Sequence, residues 1–98
     1  MLRLDSFANF EWDRGNLDKS YQKHGIIPNE AEEVFLDERV IIVRDIKHSQ
    51  KENRFIVIGK TTEKKILFVV FTLRKDTVRI ISARPANRKE RGKYEQKA

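Results

Sequence analysis

The tightest constraint in this sequence is how little chain separates its β-type runs. Arg39–Asp45, Arg54–Gly59, Lys65–Thr72 and Thr77–Ala83 are rich in Val, Ile, Phe and Thr, residues that suit a pleated, half-buried surface. The connections Lys60–Lys64 and Leu73–Asp76 are short, whereas a parallel crossover needs about a dozen residues or more. Only hairpins fit, so the spacing predicts an antiparallel meander of about four strands. Ile66–Phe71 is apolar at every position, which predicts a central strand covered on both faces.

The flanking segments read as one further strand and three helices. Phe7–Trp12 alternates weakly and predicts a short edge strand, ending at Asp13, a good helix N-cap. Leu17 and Tyr21 are spaced i, i+4 and Gly25 suits a left-handed C-cap, which predicts a helix over Arg14–His24. Pro28 fits a first helical turn and Glu30, Glu32 and Glu33 favour its positive end. Ala31, Val34 and Phe35 supply the apolar face of this second short helix. Pro85 helps to end the last strand. Asn87, with Glu90 three residues on, is placed to cap a terminal helix through Arg91 and Tyr94. The predicted order is β-α-α-β-β-β-β-α, an α+β domain with two short N-terminal helices and a C-terminal helix.

A chain of 98 residues without repeats or a linker reads as a single domain, 1–98, with one modest core and no room for a large cofactor cradle. There is no cysteine and there are two histidines, which argues against a structural zinc site, and no cofactor is expected. No glycine-rich phosphate loop or Gly-x-Ser-x-Gly elbow occurs. The first residues lack an apolar signal core, and no apolar run nears the ~18 residues of a membrane span. These features lead us to expect a soluble cytoplasmic protein. Residues 1–73 carry 12 Lys+Arg and 12 Asp+Glu, while residues 74–98 carry 9 and 3. The whole net charge of +6 is therefore C-terminal. It reads as a well-solvated helix, as a phosphate-binding region that gains affinity from counterion release, or as a surface for an acidic protein.

Phe10-Glu11-Trp12-Asp13, Lys23-His24-Gly25, the stretch Asp45 to Arg54, and Arg79-Ile80-Ile81-Ser82-Ala83-Arg84 together resemble the BrnT family over roughly Phe10 to Tyr94. The family's hairpin pattern is matched by Asp45, His48, Ser49, Glu52, Arg54, Ile58 and Gly59. Its later block is matched by Thr72, Arg79, Ser82, Arg84, Glu90 and Tyr94. Thr62 stands where many relatives carry Ser, and Gly92 lies in the terminal helix where a basic or helix-favouring residue is expected. The resemblance implies a RelE-like fold and a type II toxin: a ribonuclease neutralised by a BrnA-type antitoxin in a hetero-oligomer. DNA would be reached only through that antitoxin.

Metal-free RNA cleavage proceeds by attack of the 2′-hydroxyl on the adjacent phosphate. It needs a base, an acid and cations on the pentacovalent transition state. Arginine suits the last task because its planar fork matches phosphate oxygens and stays charged. Arg54, Arg79 and Arg84 are the strand candidates, each equally placed for a surface ion pair. If Thr77–Arg84 is regular, Ser82 and Arg84 share one face and Arg79 points with Ile81 and Ala83 to the other. The three arginines then act together only if a bulge intervenes. Arg84 with Arg54 is the favoured pair, and Arg79 is assigned an acidic partner on the antitoxin or on the domain itself. His48 and Glu52 are candidates for proton transfer, with loop exposure or pairing of Glu52 to Arg54 or Lys51 as the plain alternatives. His24 reads as a helix C-terminal residue and Trp12 as core. Arg74, Arg88, Lys89, Arg91 and Tyr94 are candidates for RNA contact, Tyr94 fitting base stacking and packing equally well. The alternative to an endoribonuclease is a non-catalytic nucleic-acid-binding or autoregulatory interaction subunit.

Overall fold

The computed structural model describes residues 9–12, 23–45, 47 and 52–97. Its elements are β1 (Asn9–Trp12), α1 (Pro28–Glu33) running into a 3₁₀ turn (Val34–Leu36), and β2 (Ile41–Arg44). There follow β3 (Arg54–Lys60), β4 (Ile66–Arg74), β5 (Thr77–Pro85) and α2 (Arg88–Lys97). The expected helix over Arg14–His24 lies outside the described residues except for Lys23 and His24, which are helical. Gly25 follows them at φ +68°, the left-handed cap that its position suggested.

The sheet has the order β1-β5-β4-β3-β2. The meander holds for β2 to β5, each antiparallel to the next. The correction is at the edge: β1 joins β5 in parallel, Trp12 opposite Ile80, so the sheet is five-stranded and mixed. To pass from β1 on one edge to β2 on the other, the chain must cross the sheet, and α1 with its 3₁₀ turn lies on the face it crosses. Ala31, Val34 and Phe35 pack there on Val57, Leu67, Val69, Phe71, Val78 and Ile80, with Phe10 and Trp12 at the margin. Phe71 is fully buried, edge-on to Phe35 at 5.0 Å and stacked on Phe55 at 5.5 Å. Central β4 is covered on both sides, as its apolar run requires, because α2 packs on the other face.

Two polar joints fix the covering elements. Asp37, just after the 3₁₀ turn, accepts the Lys60 N–H (2.8 Å) at the end of β3 and the Arg39 N–H (3.0 Å). It also accepts the Tyr94 hydroxyl of α2 (2.5 Å). Asn87 and Glu90 form the expected capping box: the Asn87 N–H donates to Glu90 and the Glu90 N–H to Asn87, each at 2.8 Å.

The pairing of β4 with β5 contains an irregularity. Val70 is opposite Ser82 but Phe71 is opposite Ile80, leaving Ile81 as an extra residue. Such a bulge reverses the parity of everything beyond it. Val78, Ile80 and Ala83 all belong to the α1-side core, and Arg79, Ser82 and Arg84 all face the opposite side. Of the two cases left open by the sequence, the bulge is the one present, and Arg79 is not turned away from Arg84 as a regular strand would have it.

Candidate active face

On that opposite side the register aligns Arg54, Thr72 and Arg79 as one row across β3, β4 and β5. The next row is Ile56, Val70 and Ser82, and beyond Val69 the third is Ile58, Phe68 and Arg84. Neighbouring strands lie about 4.8 Å apart, so Arg54 and Arg79 flank Thr72 with their backbones about 10 Å apart. Two long guanidinium side chains at that separation can converge on one anion. Thr72 is buried (2% exposed), and its hydroxyl donates to the Asn53 carbonyl (2.7 Å). That bond fixes the chain entering β3 and with it the base of Arg54.

Acidic groups surround this end of the sheet. Glu52 lies 3.5 Å from Arg74 at the end of β4, while Lys51 lies outside the described residues. Glu11 of β1 is beside Arg79 at 3.9 Å, the Arg79 side chain being 26% exposed. An acidic partner for Arg79 within the domain was one of two options left open by the sequence, and β1 supplies it. His48, with Ser49, lies outside the described residues. Among the described residues, Glu52, Arg54, Arg74 and Arg79 are brought to one end of the face.

Arg84 is on the same face but at the other end, four residues along β4 from the Arg54 row, or roughly 14 Å. Its two terminal nitrogens meet the two oxygens of Glu90, each at 2.8 Å. One of them also donates to the Pro85 carbonyl (3.1 Å). The guanidinium lies 3.9 Å over the Phe68 ring. The hydrogen bond from Arg84 holds the Glu90 carboxyl below its usual range, outweighing burial, with the Asn87 N–H assisting. Glu90 thus closes the capping box and anchors α2 to β5 at once.

Tyr94 packs with Ile58 and Ala86, next to Ile41, Ile56, Ile66 and Phe68. At 3% exposure it offers no face to a base, so stacking on RNA is replaced by packing and the bond to Asp37. Burial, followed by that bond, pushes its hydroxyl up to about 12. Burial alone would raise the Asp37 carboxyl, but the bonds from Tyr94, Arg39 and Lys60 outweigh it and hold the group low. Arg88, Lys89 and Arg91 are exposed on α2. Sequence reading missed Thr72 as the centre of the arginine row and Asp37 as the joint for α2. Thr72 was recoverable from the hairpin register, since it falls opposite Arg54 and Arg79. Asp37 carried no signal, because its partner is 57 residues away.

Residues 12–90 match a family model described as the ribonuclease toxin BrnT of a type II toxin–antitoxin system. The chain belongs to the BrnT family. The crystal structure of the Brucella abortus ribonuclease toxin BrnT is similar in fold, with a TM-score of 0.61 at 20% sequence identity. The match covers 82% of this chain and 97% of that one. No curated protein matches the chain by sequence. The BrnT family is one of ribonuclease toxins of type II toxin–antitoxin systems, so an RNA substrate and an antitoxin partner come with membership. No helix among the described residues is long and apolar enough to cross a membrane.

Proposed function

We propose that this BrnT-family protein is a cytoplasmic, metal-independent endoribonuclease with a RelE-like arrangement of sheet and terminal helix. It cuts RNA by 2′-hydroxyl attack, inhibits translation, and is held inactive by a BrnA-type antitoxin in a hetero-oligomer. The observation that carries the reading is the Arg54–Thr72–Arg79 row. It brings two permanently charged, phosphate-matching side chains to one partly exposed end of the sheet, near the carboxylates of Glu52 and Glu11.

The transition state for 2′-hydroxyl attack carries one more negative charge than the phosphodiester, and positioned cations stabilise it more than the ground state. Arg54 and Arg79 take this role. Arg84, engaged by Glu90 and two rows away, holds α2 in place. Glu52 is within the same cluster and can exchange its ion pair with Arg74 for a proton from the attacking hydroxyl. His48, four residues upstream of Glu52 in the chain, is proposed as its partner in proton transfer.

The test is cleavage of an end-labelled RNA by purified protein in excess chelator, with the product termini identified. Products ending in 2′,3′-cyclic phosphate and 5′-hydroxyl are expected. Arg54→Ala and Arg79→Ala are each expected to lower kcat/KM about 10²- to 10³-fold, the loss typical of one oxyanion donor. Intact RNA in chelator, or full activity in both variants, would overturn the reading.

A further inference from the structure

The arginine row leaves unused the Lys23-His24-Gly25 motif and a recess at the far end of the sheet. That recess, with a volume of about 380 Å³, is lined by His24, Lys64, Lys65 and Arg91 together with apolar residues that include Ile66 and Pro85. Among the described residues no carboxylate lines it. Its size is that of a small-ligand pocket. Ile66 is six residues along β4 from Thr72, which puts the recess roughly 20 Å from the arginine row. One chain of several nucleotides can reach both, whereas a mononucleotide cannot.

The cations are only partly neutralised in place. Lys65 is tied to Glu30 at 2.7 Å, but among the described residues Lys64 and Arg91 have no ion-pair partner. Lys64 also holds an unfavourable backbone conformation, φ +67°, one that glycine or asparagine adopts more readily. The Lys64 N–H to Thr61 carbonyl bond (2.9 Å) and the Thr61 N–H to Lys65 carbonyl bond (2.8 Å) close this turn. The strained turn presents Lys64 at the recess opposite Arg91 of α2. Cations suited to a phosphate, apolar lining suited to a base and an imidazole able to stack make up the chemistry of one nucleotide.

We propose that this recess is a second RNA subsite. It grips a backbone phosphate several nucleotides from the bond cut, with Lys64 and Arg91 on phosphate oxygens and His24 against the base. The inference rests on the ribonuclease reading for its ligand, but its test does not depend on cleavage.

The experiment measures binding of a fully 2′-O-methylated RNA 12-mer, which cannot be cut by 2′ attack, to the whole chain across a range of salt. Each lost phosphate contact on a single strand lowers the log–log salt slope by about 0.7. Lys64→Gly removes the charge while relieving the backbone, so it keeps the fold. It is expected to lose about that much slope, and Lys64→Glu at least as much. The His24 ring resonances are expected to shift as the 12-mer is added to the wild type. Absence of 12-mer binding, unchanged slopes in both variants, or a silent His24 would overturn the subsite. So would tighter binding of an acidic dodecapeptide than of the RNA, or equal affinity for inorganic phosphate and the 12-mer. A protein that shows the expected slopes yet leaves unmodified RNA intact would uphold the subsite while overturning the ribonuclease reading.

Discussion

Gly59 has no latitude for a side chain. A Cβ there would sit 2.9 Å from the Val34 carbonyl oxygen and 2.9 Å from Val40 Cγ1, because the 3₁₀ turn rests directly on β3. Backbone on one side leaves nothing to give way, so Gly59→Ala is expected to destabilise by about 1–3 kcal/mol. For a chain of this size each kcal/mol lowers Tm by about 4–8 °C, and thermal unfolding followed by circular dichroism reads the loss. Tyr94 and Asp37 set the pH window at the same scale. The Asp37 carboxyl lies below its ordinary 3.8, so the stability it contributes is present above that value and lost as pH falls through its folded pKa. The Tyr94 hydroxyl, raised from 10.0 to about 12, contributes stability below pH 10 that is lost as pH rises toward 12. Tyr94→Phe is expected to cost about 1–3 kcal/mol at neutral pH, since it removes a donor from a partly buried carboxylate. It should also abolish the alkaline loss between pH 10 and 12. An unchanged alkaline limb in the variant would count against the joint.

The elements differ in how far local sequence specifies them. β3, β4 and β5 announce themselves because β-branched and aromatic runs separated by four or five residues have one solution, and the structure extends each by a residue or more. Asn87 and Glu90 announce α2 because a capping box is chemistry within four residues. The bulge at Ile81 left no trace: one extra residue in a strand of otherwise alternating character looks the same as a regular strand until its partner's register is known. For the same reason the face of Arg79 could be given only on the condition that the strand is regular. β1 was legible as an edge strand, but its parallel pairing with β5 depends on a contact 68 residues away in sequence, which no local pattern encodes. Of the candidate site, the residue types were legible and their grouping was not. Arg54, Arg79 and Arg84 were the arginines proposed from the sequence, and the register puts the favoured pair, Arg84 with Arg54, at opposite ends of the face. The capping box supplies an element-scale prediction. Asn87→Ala removes the acceptor for the Glu90 N–H and is expected to cost about 1 kcal/mol. Fraying should be confined to α2 and visible as faster amide hydrogen exchange in its first turn.

At the scale of the whole molecule, the sheet's second face is divided between two tasks. One end gathers two arginines around a buried threonine with carboxylates within reach, the end to which we assign phosphate binding. The other end is built to hold α2, with Arg84 fastened to Glu90 and Tyr94 fastened to Asp37. The C-terminal surplus of charge is divided in the same way, because Arg74 and Arg79 stand at the first end while Arg84 and the α2 cations stand at the second. Charge removal at the two ends should therefore have separable consequences. Arg79 is partly exposed and its 3.9 Å contact with Glu11 is long, so Arg79→Ala is expected to lose no more than about 0.5 kcal/mol of stability from that pair. The same variant should lower RNA cleavage at least a hundredfold. Arg84 makes two short bonds to Glu90, a third to Pro85 and a cation–π contact. Even discounted for partial exposure, Arg84→Ala is expected to destabilise by about 1–2 kcal/mol. Measuring Tm and cleavage for both variants at a temperature where both remain folded checks the division. If Arg84→Ala kept the wild-type Tm while abolishing cleavage, Arg84 would belong with the phosphate-binding arginines and the face would be one site from end to end. A lowered Tm with cleavage largely retained at low temperature is the outcome that the Glu90 clasp requires.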